Sequence, residues 1–386
     1  MLHQRTPTPS RRPRIAIVTN MPSPYRIPVF AALPALTGAE VHCIYLTRRE
    51  PNRDWRVDDA ADTVRVHYPP SRELTVRDKY IHFNTGLPTL LTKIAPDAIV
   101  TTAFGQPYLS AFLHAWRHGI PHVPMTDGTY ESELHLTRMH HLLRRIVFRR
   151  SHAFVGASVG SRRLFASYGI AQERCFQSHL CADMARFEAA DLLPIERTVD
   201  FVVSGRMHPD KSPEFALDVA LGVARQLGRR VTIEFLGSGP LRDQLQARAT
   251  AAADLLDVRL PGFLDQTALP LAYRRGRVLL FPTRGDVWGV VVNEACAVGL
   301  PVLQTPMAGT SGEIVRDHEN GRILPLDLPA WIDAASALLT DAALWQRMSA
   351  RSRELVAGYT YANAAHGLAQ ALAFAMHHGA AASDPA

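Results

Sequence analysis

Cysteine is scarce in this chain. The 386 residues hold four, at 43, 175, 181 and 296, and no two form a Cys-x-x-Cys pair. That excludes a disulfide scaffold and the usual structural zinc motifs, and it fits a reducing interior. Long apolar runs are missing too: none approaches the roughly 18 to 20 residues needed to span a bilayer. The Ala-rich stretch near the C-terminus comes nearest, and Asn363, His366 and Gln370 interrupt it. The opening "MLHQRTPTPSRRPR" is basic and Pro-rich, and the "IAIV" after it is too short for a secretory h-region, so a cytoplasmic location is expected. Seventeen histidines are present, yet His135, His140 and His141 lack the four-residue step that places two ligands on one helix face. No metal site and no cofactor are expected. Acidic residues are in mild deficit, 36 against 42 basic, giving +6. Such a balance favours anionic partners such as nucleotides, phosphorylated lipids or an acidic membrane face, without choosing among them; a nucleic-acid partner is not expected.

What is present is a folded, enzyme-sized composition, 47% apolar, in a chain longer than one hydrophobic core normally serves. Short β-branched runs alternate with helical patterns: "RIAIVT" from 14, "VHCIYL" from 41, "DAIVTT" from 97 and "HAFVGA" from 152. The pattern restarts with "VDFVVSG" from 199, "VTIEFLG" from 231, "RVLLFP" from 277 and "PVLQT" from 301, with helices near 213–227, 240–252, 290–298 and 329–339. This is the signature of βαβ units and parallel sheets. The fold class is α/β, with two Rossmann-like doubly wound domains facing across a cleft. The expected division is a disordered basic tail at 1–13, an N-terminal domain at 14–185, a C-terminal domain at 198–358 and a last helix at 359–378, with a strandless linker near 183–198.

Ligands of open α/β sheets bind beyond the carboxyl ends of the strands, and the candidates stand there. After "DFVVSG", Arg206 and Lys211 flank a turn opening a helix with Ser212 as its cap and Pro213 at its first position, a site for phosphate or diphosphate or else a solvated charge pair. Gly237-Ser-Gly239 resembles half a dinucleotide fingerprint, but Arg242 stands where the third glycine belongs, so a tight strand-to-helix turn is the better reading. In "TRGDVWGVVVNEACAVG", the loop Asp286 to Gly289, with Trp288, leads into a helix ended by Gly299. Val290 and Val291 then lie in its first turn, with backbone N–H groups available to a diphosphate, and Glu294 lies one turn behind, at ribose distance. The turn Ala308 to Gly312, with Gly309 and Thr310, offers further backbone donors before Glu313 and Ile314 begin a short helix.

Five pieces in order, "GR…K", "LGSGP", "GFLDQ…L…Y", "PTRGDVWGVVVNEACAVGLPVL" and "AGTSGEIV…NG", make residues 199 to 326 resemble the donor-binding domain of the retaining, family-four (group 1) glycosyltransferases of the GT-B fold. The resemblance implies that Arg206 and Lys211 hold the donor diphosphate, that Glu294 takes the ribose, and that Asp286 fills the first place of a Glu-x7-Glu motif. Aspartate there is one methylene shorter than the family's glutamate, which bears on the choice of donor sugar. The N-terminal half resembles the family more loosely, and the resemblance implies that 14–185 is an acceptor-binding domain, that 198–358 is the donor-binding domain and that the helix at 359–378 crosses back to the first. "TNMPSPYRIPVFAAL" looks like the first strand, loop and helix of a subgroup with Pro-Ser-Pro-Tyr-Arg in place of a glycine-rich loop, which turns Tyr25 and Arg26 to the cleft. Asp127, ending "PHVPMTD", then becomes a second candidate catalytic carboxylate.

The implied activity is metal-independent transfer of a sugar, with retention, from a nucleotide diphosphate donor to an acceptor hydroxyl. UDP is the default base, and the acceptor is a saccharide or a lipid-linked glycan of cell-envelope polysaccharide synthesis. A nucleotide-sugar epimerase or phosphorylase of the same fold, or a non-catalytic nucleotide-sugar binding module, are the alternatives. "RMHHLLRRIVFRRSH", 138 to 152, reads either as a helix covering the sheet with solvated arginines or as a peripheral dock on anionic headgroups at the inner face of the membrane.

Overall fold

The computed structural model describes residues 11–49, 62–76 and 79–381; residues 1–10 of the stretch read as a tail lie outside them. Strands β1 (Arg14–Thr19), β2 (Glu40–Tyr45) and β3 (Arg65–His67) are followed by a hairpin of β4 (Ser71–Val76) and β5 (Lys79–Asn84), then by β6 (Ala98–Thr101), β7 (His122–Thr126), β8 (Phe154–Gly156) and β9 (Cys175–Gln177). The second half contributes β10 (Val199–Ser204), β11 (Val231–Leu236), β12 (Leu256–Gly262), β13 (Gly276–Phe281), β14 (Val302–Gln304) and β15 (Gly321–Ile323).

Outside the hairpin every pairing is parallel, in two sheets ordered β3-β2-β1-β6-β7-β8-β9 and β12-β11-β10-β13-β14-β15. Parallel strands are covered on both faces, which is why Ile15 to Val18 in β1 and Val199 to Val202 in β10 include no exposed residue. The fold is α/β with two doubly wound domains. In each, the strand order reverses beside the first strand, between β1 and β6 and between β10 and β13. Loops leaving those strands diverge to opposite faces and open a crevice.

The helices follow the local chemistry. Pro213 stands in the first turn of the helix Pro213–Leu227, and Gly228, at φ 60°, closes it in the left-handed region. The valine run at 290 to 292 is helical, in Val290–Ala297, because Gly299 and Pro301 terminate it and β14 follows at once.

Three expectations need correction. The stretch read as a linker carries the helix Met184–Asp191, whose Met184 and Phe187 pack into the second domain's core; its three-residue apolar spacing is too short to stand out by period alone. Ser212 makes no side-chain cap, since it lies at φ 47° with its hydroxyl on the Pro209 carbonyl. Glu313 and Ile314 begin no helix: residues 308–317 are turns and isolated bridges, with Gly312 at φ 77°.

The last helix, Tyr361–Ala381, packs against the first, Ile27–Thr37, and seats Ala364, Ala365, Leu368, Ala371, Leu372 and Ala375 in the core around β1 and β7. Small residues allow close approach. At Gly367 a Cβ would lie 1.7 Å from the Gln177 carbonyl oxygen at the end of β9. Tyr361 donates to the Pro24 carbonyl at 3.3 Å, tying this helix to the loop after β1.

Gly367→Val is therefore expected to force the last helix off β9 and to lower stability by about 2 kcal/mol or more, read from the denaturant midpoint. Gly358→Ala, where a Cβ meets nothing within 4 Å, is the control and is expected to change it by under ~0.5 kcal/mol.

Candidate active site

Both crevices open into one cleft of about 810 Å³. Its N-terminal wall comes from the loops after β1 (Asn20 to Arg26), β6 (Thr102 to Tyr108) and β7 (Asp127); its C-terminal wall comes from those after β10 (Arg206, Lys211) and β13 (Gly285 to Val290). The structure thus gathers Tyr25, Arg26, Asp127, Arg206, Lys211, Asp286, Gly289 and Val290 around one space.

On the C-terminal wall, Gly237 and Gly239 fix the place of Arg206. Both lie at positive φ, 153° and 154°, and a Cβ on either would sit 2.0 Å from the Gly205 carbonyl oxygen or 2.5 Å from that of Met207. The half-fingerprint is thus a close-approach turn, and the Met207 N–H donates to the Ser238 carbonyl across it. Arg206 is left half exposed, with its nearest carboxylate, Asp210, at 3.9 Å. Lys211 Nζ donates to Asp286 Oδ2 at 2.9 Å and to the Gly285 carbonyl at 3.3 Å. The other oxygen of Asp286 accepts from the Trp288 N–H at 3.1 Å. Aspartate is long enough here to hold both a lysine and the turn leading into the helix.

The backbone N–H groups of Val290 and Val291 open that helix and have no intrahelical partner. The Val291 side chain packs on the core and does not line the cleft. Trp288 borders the cleft but is 1% exposed, and its indole donates from Nε1 to Asn293 Oδ1, which holds the ring in the core. Gly309 and Thr310 also stand apart from it. Their N–H groups donate to the Asp286 and Trp288 carbonyls, and the Thr310 hydroxyl donates to Gln304 Oε1. A Cβ at Gly309 would lie 2.0 Å from the Val287 carbonyl oxygen. That turn braces the Asp286 loop from behind.

Glu294 is 1% exposed. It accepts from the Tyr273 hydroxyl at 2.9 Å and from the Tyr25 hydroxyl, which reaches across from the N-terminal domain, at 3.4 Å. Burial pushes its carboxyl up to about 7, against the lowering effect of the two hydroxyls. Tyr273 was not singled out as a site residue, although it is the tyrosine of the "GFLDQ…L…Y" block.

On the N-terminal wall, Arg26 pairs with Asp127 and donates to the Ser178 and His179 carbonyls at 3.1 and 3.3 Å. Asp127 is thereby oriented while staying partly exposed. Two further residues join the domains. Glu313 accepts from the Val159 N–H at 2.7 Å, at the start of the helix Val159–Ser167, and burial raises its carboxyl to about 7 against those N–H bonds. His179, its ring near Trp288 and Tyr359, is pushed down to about 4 by burial and is neutral. Glu313 belongs to the "AGTSGEIV" block but no role could be read for it there, and His179 carries no motif; the packing of one domain on the other reveals both.

Comparison with known proteins agrees with this geometry. Residues 198–341 match the family described as glycosyl transferases group 1. The D-inositol 3-phosphate glycosyltransferase of Nocardia farcinica is 30% identical over 246 residues, which cover 57% of this chain and 52% of that protein. The chain thus spans about half the length of such a relative. Among solved structures, Anabaena HepE in complex with UDP superposes with a TM-score of 0.71 at 14% identity, covering 94% of this chain and all (100%) of that one. Sucrose-phosphate synthase of Thermosynechococcus elongatus gives 0.68 at 16% identity, covering 96% and 100%. Residues 198–341 thus resemble a group 1 glycosyl transferase domain, and the chain that carries them has the GT-B fold.

Proposed function

We propose that this chain transfers a sugar from a nucleotide diphosphate donor, a UDP-sugar by preference, to the hydroxyl of an acceptor held on the N-terminal wall, retaining the anomeric configuration. The observation that carries the reading is the convergence of Arg206, Lys211 and the start of the helix Val290–Ala297 on a cleft that also holds the Asp286 carboxylate. UDP is favoured because structural neighbours such as Anabaena HepE are described in complex with it. The acceptor is a saccharide or a lipid-linked glycan, in keeping with cell-envelope polysaccharide synthesis.

In this mechanism the C1–O bond to the diphosphate breaks and the acceptor oxygen bonds C1 on the same face. A donor phosphate oxygen takes the acceptor's proton, so the nucleoside diphosphate leaves with it. Arg206, Lys211 and the helix N-terminus stabilise the charge that grows on the leaving group, which removes the need for a metal ion. Asp286 faces the sugar, where a carboxylate bonds its hydroxyls and steadies positive charge at C1. Asp127, steered by Arg26, addresses the acceptor hydroxyl or the sugar from the opposite wall.

The substitutions separate binding from turnover. Arg206→Ala and Lys211→Met are each expected to weaken nucleoside diphosphate binding roughly tenfold or more in calorimetry. Asp286→Asn is expected to keep that binding within about threefold and to lower kcat about a hundredfold. Equal binding by all three variants would remove the donor-site assignment.

Glu294 sets a pH dependence. As ribose acceptor it works ionised, and burial holds it protonated up to about 7, so nucleotide affinity is expected to fall up to about tenfold per unit as pH drops below 7. For the ligand-free fold the sign is opposite. A raised carboxyl stabilises the fold most below its unfolded value, and that stability is lost as pH rises through about 7. Glu294→Gln is expected to flatten both profiles. Because the ribose and the Tyr25 hydroxyl compete for the same carboxylate, Tyr25→Phe is expected to tighten nucleotide binding severalfold, measured by the same titration.

A further inference from the structure

A second groove, of about 770 Å³, lies on the outer surface of the N-terminal domain. The helix Gln106–Arg117 runs along it, and Leu109 and Leu113 line it, with Leu143 of the helix Arg138–Arg149 opposite. Leu113 is 47% exposed. The helix Arg138–Arg149 covers the domain with Arg144, Val147 and Phe148, yet Met139, Leu142 and Ile146 on other faces are also exposed. A helix whose only duty is to cover a sheet carries one apolar stripe; this one carries apolar side chains outward as well.

Two observations say what fits there. Gln106 lines both the groove and the cleft, at the wall where the acceptor is read to sit, and its side chain is pinned by the Asn84 N–H at 3.1 Å. From Gln106 to the end of its helix the groove has about 18 Å of length to offer. The charge is also one-sided: neither helix contains an Asp or a Glu, Arg117 lines the groove, and Arg138, Arg145 and Arg149 are exposed outside its lining.

We propose that this groove takes the hydrocarbon chain of an amphiphilic, phosphate-bearing acceptor whose sugar or hydroxyl end enters the cleft past Gln106. Apolar Leu109, Leu113 and Leu143 hold the chain, and the arginines favour an anionic amphiphile over a neutral one. The inference rests on the proposed acceptor wall and assigns the class of acceptor to it.

The probe is dodecyl phosphate, kept below its micelle threshold and titrated into the full chain by calorimetry, with butyl phosphate, dodecyl maltoside and UDP as separate arms. Dodecyl phosphate is expected to bind at least tenfold more tightly than butyl phosphate and than the neutral maltoside. The double variant of exposed Leu113→Gln and half-buried Leu143→Gln is expected to abolish the dependence on chain length while UDP affinity stays unchanged. Equal binding of the two phosphates, or a double variant that keeps the chain-length effect, overturns the proposal. So does binding to vesicles of phosphatidylglycerol and phosphatidylcholine without binding of the monomeric amphiphile, which would make this face a bilayer dock with no housing for a chain. Failure of UDP alone to bind would strike the donor reading and leave the groove result standing.

Discussion

Parallel pairing governs this molecule. A parallel strand cannot return to its neighbour by a tight turn, so each segment leaves the sheet at a carboxyl end and crosses one face, most often as a helix, before it re-enters at the amino end. Both sheets obey this, and in both the order reverses beside the first strand. The loops after β1, β6, β10 and β13 therefore diverge from their neighbours and leave room. Nearly every cleft residue stands on one of these loops, with Asp127 after β7 the main addition. Tyr25, Arg206 and Asp286 lie far apart in sequence and meet because two copies of the same topological break face each other.

Much of this was legible in the sequence, and what was legible had a local cause. β1, β10, β11 and β13 are buried apolar runs, and the helices Pro213–Leu227 and Val290–Ala297 are closed by Gly228 and Gly299. Arg206, Lys211 and Asp286 could be placed because each follows a strand by a few residues. β12 is harder to read, since "LDVRLPG" mixes charge and proline on a strand at the sheet's edge, where only one side needs a partner. Trp288 shows the other limit. An aromatic beside a ligand loop invites a stacking role, but nothing local says that Asn293, one helical turn on, holds its indole inside the core. Gly309 and Thr310 look like free donors until the Asp286 and Trp288 carbonyls are seen to need them.

The structure also changes how the two acids of the Asp-x7-Glu stretch divide their work. Eight positions place Asp286 in the loop and Glu294 behind the first helical turn, and their surroundings differ as much as their positions. Asp286 faces the cleft with the Lys211 ammonium 2.9 Å away. Glu294 sits in a dry pocket between two phenols, a setting that makes charge costly. The same residue chemistry thus gives one carboxylate paired with a lysine on the cleft wall and one buried carboxyl whose proton is held near neutrality.

The last helix bears on how the protein is made. Its residues 364 to 375 complete the apolar core around β1 and β7, strands that precede the whole second domain in the chain, and Gly367 seats it on β9. A nascent chain has emitted its whole first sheet, and then its whole second domain, before the segment that closes the first core emerges. The second domain, whose strands and covering helices are contiguous from Met184 to Val356, has all its parts earlier. Synthesis order and order of completion of the two domains are therefore reversed, and the first sheet waits on the last helix with an open apolar seam.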